Sequence, residues 1–110
     1  MELIIKGRNA GKTTALIEKA ANYNGYIVCL DESRAIHIIT LAEKLGVKIN
    51  HPLTALQFLG GNYHGPGVKR VFIDNADQLL QQICKVPIEA ITLTQPKIKL
   101  KIINPNEDEM

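Results

Sequence analysis

The chain is 110 residues long, 45% hydrophobic and 22% charged, which excludes a disordered or fibrous polypeptide and points to one globular domain. At this length about two thirds of the unfolded surface can be buried, enough for a three-layer α/β unit and too little for a two-domain motor. Thirteen Lys and Arg against eleven Asp and Glu leave a net charge of +2, which excludes an affinity built mainly on neutralising a run of phosphates and leaves nucleic acid open as a partner.

The elements read in chain order as strand, helix, strand. Leu3-Ile4-Ile5 is a continuous apolar run closed by Gly7, and Tyr26 to Leu30 is a second, closed by Asp31; such runs suit strands buried on both faces of a parallel sheet. Between them Lys12 to Ala21 carries Ala15, Leu16, Ile17 and Ala20 at helical spacing and stops at the turn cluster Asn22-Tyr23-Asn24-Gly25. A second helix follows from Ser33, read as its N-cap, to Leu45, with Gly46 as its stop. Val47-Lys48-Ile49 reads as a short strand, and Thr54 as the cap of a helix over Ala55 to Leu59. Gly60 to Gly67, with four glycines and a proline, is the longest expected loop. Arg70 to Ile73 is the next apolar strand, ending at Asp74. Ala76 to Lys85 is a helix with Leu79, Leu80 and Ile83 turned inward, and Ile88 to Thr94 a further strand closed by Pro96. Lys97 to Ile102 alternates strictly, as a strand with one wet face does, and its lysines 97, 99 and 101 read as an edge-strand guard rather than a nucleic-acid stripe, since no aromatic interleaves them.

Strands alternating with helices imply a mainly parallel sheet with right-handed crossovers, in a single domain over 1–103 followed by an acidic tail, 104–110, expected to be disordered. No apolar stretch approaches the roughly 20 residues of a membrane span, and Met1 to Lys6 lacks the regions of a signal peptide, so the expected location is the cytoplasm with no membrane partner. Cys29 and Cys84 make neither a zinc site nor a disulfide framework and read as buried thiols.

The chemistry concentrates after the first and third apolar strands. Gly7-Arg8-Asn9-Ala10-Gly11-Lys12-Thr13-Thr14 lies between a strand and a helix, where loop N–H groups and the positive helix end face an anion, glycine allows close approach, and Lys12 adds a mobile positive charge. Val71-Phe72-Ile73-Asp74 delivers a carboxylate at the carboxyl end of a strand, where open α/β sheets bind ligands.

These two segments resemble the Walker A and Walker B motifs of the P-loop nucleoside triphosphatases. The first is shorter than the family's pattern: three residues separate Gly7 from Gly11, and Lys6 takes the place of the family's first glycine. The resemblance implies a minimal RecA-like core, an α/β/α sandwich that binds Mg²⁺ with ATP. The loop amides and Lys12 would hold the phosphates, and Thr13 and Asp74 the metal. Thr94 or Gln95, ending the strand after Walker B, would sense the γ-phosphate. Asn75 stands where many such enzymes carry a water-activating carboxylate; Asn orients a water but takes no proton, which implies slow hydrolysis or a substitute such as Asp31, Glu32 or Asp77. The absence of Asn-Lys-x-Asp, and of Asp-x-x-Gly after Asp74, argues against guanine specificity.

The chain is thus similar to the ATPase half of helicases and phage DNA-handling ATPases, engines whose site is closed by a second lobe or neighbour, so a homo-oligomer or protein partner is implied. Arg34, opening a helix, and Arg70, opening a strand away from the site, read as surface charge or as arginine fingers for a neighbouring subunit. His37, His51 and His64 lack metal-ligand spacing, and Tyr23, Tyr26 and Tyr63 read as packing residues or adenine stackers. Two rival classes are a small nucleoside or nucleotide kinase, with Gly60 to Gly67 as its lid, and a non-hydrolysing nucleotide-binding interaction module.

Overall fold

The fold is described from a computed structural model, whose described residues are 2–6, 11–61, 68–92 and 99–103. Strand β1 (Glu2–Lys6) precedes helix α1 (Lys12–Tyr23), strand β2 (Tyr26–Cys29) and helix α2 (Glu32–Leu45). A two-residue strand β3 (Leu53–Thr54) runs directly into the short helix α3 (Ala55–Leu59). Strand β4 (Val71–Ile73), helix α4 (Ala76–Ile83) and strand β5 (Lys99–Ile103) complete the order.

All described strand pairs are parallel. β2 lies between β3 and β4 in a three-stranded sheet, with Tyr26 opposite Val71, Val28 opposite Ile73 and Cys29 opposite Thr54, while β1 pairs with β5, Glu2 opposite Lys99 through Lys6 opposite Ile103. Parallel pairing cannot be made by hairpins, so each neighbour is reached through a crossover, and the crossovers are what carry the helices. The apolar run of β2 is consequently dry on both faces. Ile27 and Cys29 pack with Ile17 and Ala20 of α1 and Ala35, Ile38 and Ala42 of α2, whereas Val28, pointing the other way, packs with Ala55 of α3 and Leu79 of α4. The α/β class with a parallel sheet follows from that alternation, with helices against both faces of β2.

The helix boundaries have local causes. α2 is capped by Asp31, whose carboxylate accepts the Arg34 N–H at 2.9 Å, so the cap stands two residues before the Ser33 expected from the sequence. Gly46 ends it in the left-handed region, as expected. Thr54 caps α3 in a reciprocal box: its hydroxyl accepts from Gln57 N–H at 3.2 Å, and the Gln57 side chain accepts from Thr54 N–H at 2.9 Å.

Four further expectations are corrected. Val47-Lys48-Ile49 is not a strand; the strand comes later, at Leu53–Thr54, because the buried Pro52 and the Cys29 pairing partner Thr54 place the chain beside β2 only there. Residues 88–92 carry no strand assignment; instead the Gln81 side chain accepts from Ile88 N–H at 2.9 Å and donates to Val86 C=O at 2.8 Å, which holds the chain leaving α4 in a turn. The final strand is Lys99–Ile103, against the expected Lys97 to Ile102, and residues 93–98 lie outside the described set. In α4 only Leu79 is buried; Leu80 and Ile83 are exposed, since Leu79 alone meets Val28 and Ala55. The tail 104–110 and most of the Gly60 to Gly67 loop also lie outside the described residues.

At the amino edge of the sheet the chain passes Gly25, buried between α1 and β2. A Cβ there would collide with the Phe72 ring and stand 3.3 Å from the Arg70 carbonyl, which accepts the Tyr26 N–H at 3.0 Å. Phe72 is packed against the core and has little room to yield. Gly25→Ala is therefore expected to lower stability by about 1–3 kcal/mol, the usual cost of overpacking, measured by urea denaturation. Phe72→Leu in the same chain should return part of that loss.

Candidate functional site

The site is built where the carboxyl ends of β2 and β4 meet the amino end of α1. Asp74 follows β4 and extends its ladder by one bond, its N–H donating to Val28 C=O at 2.9 Å, so the carboxylate is fixed one residue past the end of β4, beside the end of β2. It is 6% exposed. Gly11 enters α1 at φ 76°, ψ 24°, a left-handed conformation that glycine adopts without steric penalty and other residues do not. That turn brings Lys12 and Thr13 into the first turn of α1, and the Thr13 hydroxyl donates a long, forked hydrogen bond to both Asp74 oxygens, at 3.4 and 3.5 Å. Residues 61 apart in sequence are thereby joined at one edge of the sheet.

Burial pushes the Asp74 carboxyl above the usual carboxylate range, because desolvation disfavours its charged form. Opposing that shift are, in order, the Thr13 hydroxyl, then the charges of Lys12, Arg34 and His37. Directly beneath, Cys29 is 1% exposed and its thiol donates to the carbonyls of Asp31 at 3.5 Å and Leu53 at 3.6 Å. Its pKa is pushed up to about 11, first by burial and then by the negative charges of Asp74, Asp31 and Glu32.

The predicted site residues divide accordingly. Lys12, Thr13 and Asp74 are brought together, and Gly11 and Thr14 flank them at the start of α1. Asn75 sits next to Asp74 at φ 55°, ψ 59°, opening α4 without a side-chain capping bond. Asp31 and Glu32 lie at the same edge, with Asp31 occupied in capping α2, and Asp77 is exposed in the first turn of α4. Gly7, Arg8, Asn9, Ala10, Thr94 and Gln95 lie outside the described residues, as do Tyr63 and His64. Tyr23 and Tyr26 are at the opposite, amino edge, where the Arg70 guanidinium stands 5.5 Å from the Tyr23 ring centre; neither tyrosine shares the edge with Asp74. Cys29 is buried as expected, but Cys84 is exposed, because the chain has left α4 by then.

Arg34 and His37 were not singled out by the sequence as neighbours of Asp74. The available signal was their i, i+3 spacing on a helix that starts at the ligand edge, and it was masked by placing the cap at Ser33.

The donor set suits a hard cation that keeps much of its own water. One hydroxyl and one carboxylate, both oxygen, are what Mg²⁺ takes from a protein when phosphates supply other ligands. Among the described residues no group of three or more His, Cys, Asp or Glu is placed to hold a metal ion by itself. No helix among the described residues is long and apolar enough to cross a membrane.

No family model, curated protein or solved structure gives a significant match to this chain.

Two outcomes follow from the buried groups. Because the folded-state pKa of Asp74 is raised, the native state holds its proton to higher pH than the unfolded chain, and stability declines as pH rises from about 4 through that raised value. Asp74→Asn should raise the melting temperature at pH 7 by a few degrees, the response of a chain this size to about 1 kcal/mol, with the gain vanishing near pH 4 in a thermal series without added metal. A thiol reagent at pH 8 should modify one cysteine of the native protein, Cys84, and both after denaturation, read by intact mass.

Proposed function

We propose that this chain is a minimal P-loop protein of the RecA-like type that binds Mg²⁺ with ATP at the edge formed by Lys12, Thr13 and Asp74. The observation that carries this reading is the Thr13–Asp74 contact: a helix-opening hydroxyl and a strand-ending carboxylate meet at the carboxyl edge of a parallel sheet, with Lys12 beside them. Helix caps alone do not require such a meeting, since either motif could cap its own helix without approaching the other.

In this reading the first-turn N–H groups of α1 and the Lys12 ammonium hold phosphate oxygens. Bound Mg²⁺ would supply charge neutralisation between them. Thr13 would present its hydroxyl oxygen to the ion, and the Asp74 carboxylate would hold it through a water.

Turnover by this site is slow. Asn75 positions a water without accepting its proton, so the chain is a weak ATPase whose rate depends on a second copy or a protein partner completing the site. The same residue favours the second reading, a nucleotide-binding interaction module without hydrolysis. An association with nucleic-acid or phage DNA handling, and the nucleoside kinase alternative, are supported by the resemblance of the motifs alone.

Calorimetric titration of Mg-ATP into the wild type should show one site per chain, with binding weakened at least tenfold in Lys12→Ala, and phosphate release on the same samples should be slow in the wild type and absent in the variant. Equal binding by both proteins, or none by the wild type, would refute the site.

A further inference from the structure

The amino edge of the three-stranded sheet is the end away from Asp74, and three segments are tied together there. The Asn50 side chain donates to Gly25 C=O at 3.1 Å and to the Asn24 side chain at 3.2 Å, while Arg70 C=O accepts the Tyr26 N–H at 3.0 Å. Asn50, Gly25 and Arg70 therefore stand in one row across the starts of β3, β2 and β4, about 10 Å wide at the usual strand spacing. Tyr23, closing α1, stands beside that row, 55% exposed, with the Arg70 guanidinium 5.5 Å from its ring centre. Lys69 precedes Arg70 and Lys48 lies two residues before Asn50, so exposed cations flank the tyrosine from both neighbours of β2.

Charge is divided between the two ends of the sheet. Among the described residues, the segments that meet at the amino edge, 22–26, 43–51 and 68–71, carry Lys44, Lys48, Lys69 and Arg70 against Glu43 alone. Those that meet at the carboxyl edge, 11–14, 29–34 and 74–77, carry Lys12 and Arg34 against Asp31, Glu32, Asp74 and Asp77. The chain leaving α4 adds Lys85 and Glu89, which cancel. A net charge of +2 thus contains a basic end opposite an acidic one.

We infer that the amino edge binds a short stretch of single-stranded nucleic acid, with phosphates against Lys48, Lys69 and Arg70 and an unpaired base stacked on Tyr23. An exposed ring between basic groups is what base stacking joined to phosphate contact requires, whereas an acidic protein would use the charge without the ring. The edge presents strand starts and helix ends, with no helix side or ribbon to enter a groove, so it suits an unpaired strand better than a duplex. Three phosphate contacts and one stacked base fit a chain of low net charge, in which no long run of phosphates is neutralised. The site lies at the opposite end of the sheet from Lys12, Thr13 and Asp74 and does not depend on the nucleotide reading.

The test is fluorescence anisotropy of a labelled thymidine oligonucleotide of about 12 residues, titrated without ATP over a salt series into wild type and variants of matched melting temperature. The wild type should bind with log K falling against log salt at a slope of about −2, the value for three phosphate contacts on a single strand. Tyr23→Leu should weaken binding about five- to a hundredfold with the slope unchanged, and Tyr23→Phe should stay near wild type. Lys48→Gln, Lys69→Gln and Arg70→Gln should each weaken it about three- to tenfold and make the slope shallower by about 0.7. The Arg70 substitution leaves in place the backbone carbonyl that accepts the Tyr26 N–H. Arg34→Gln, which removes the same charge at the opposite edge, should change neither affinity nor slope. No binding by the wild type would overturn the inference, as would equal losses in Arg34→Gln and Arg70→Gln or wild-type binding by Tyr23→Leu. A duplex of the same length that binds as tightly would overturn the single-strand assignment, and polyglutamate competing as well as the oligonucleotide would give the edge to an acidic protein instead. Each of these failures leaves the Mg-ATP titration of the other edge to be decided on its own.

Discussion

Everything at the edge depends on β2 being dry on both sides. Ile27 and Cys29 face α1 and α2 while Val28 faces α3 and α4, so four residues of strand carry the contacts of four helices. Each apolar side chain so buried is worth about 1.5–3 kcal/mol relative to exposure. The neighbours of β2 are parallel to it, and parallel pairing sends every strand's carboxyl end to one side. The residues that follow, Asp31 after β2 and Asp74 after β4, are collected at that edge as a consequence of the core and not of any attraction between them.

That collection is unfavourable for a carboxylate. Asp74 is sealed by the same packing that fixes it, and burial raises its pKa despite a hydroxyl and three cationic groups nearby. A site whose polar groups satisfy one another would relax the strain by sinking the charge fully, as ordinary buried ion pairs do. Here the Thr13 bond is long, 3.4 to 3.5 Å, Lys12 is partly buried, and the Arg34 and His37 side chains are exposed. Both carboxylate oxygens have the Thr13 hydroxyl as partner, at long distance, and burial is still the larger influence on the group.

The sequence made the class and the edge legible. Continuous apolar runs mark β2 and β4, turn residues mark Gly46 and Thr54 as boundaries, and motif spacing points to Lys12, Thr13 and Asp74, which the fold brings together. Register and side-chain reach were not legible. The Ser33 cap was a fair choice by residue type, but Asp31 wins because it leaves β2 already extended, at φ −153°, and its carboxylate meets the Arg34 N–H. The same two-residue error hid Arg34 and His37, whose relation to Asp74 depends on where α2 begins. Ile88 to Ile91 has strand-like composition, yet the Gln81 amide takes up Ile88 N–H and Val86 C=O, a side-chain competition that periodicity does not register. The expected burial of Cys84, Leu80 and Ile83 failed for a related reason: an amphipathic pattern states which face is apolar, not how much of it a partner covers.

The identity of residue 75 has a backbone cause. The chain turns from β4 into α4 across two residues, Asp74 and Asn75, and the turn is made at Asn75 with φ 55°, ψ 59°, a region that Asn enters several-fold more readily than most side chains. A glutamate here would bring the missing base and also the steric cost of the left-handed backbone, about 1–2 kcal/mol by the general penalty for that region. The turn that follows Asp74 therefore works against a glutamate at residue 75. On the function proposed above, the fixed carboxylate of Asp74 and the lack of a proton acceptor at residue 75 would both be results of that one backbone conformation.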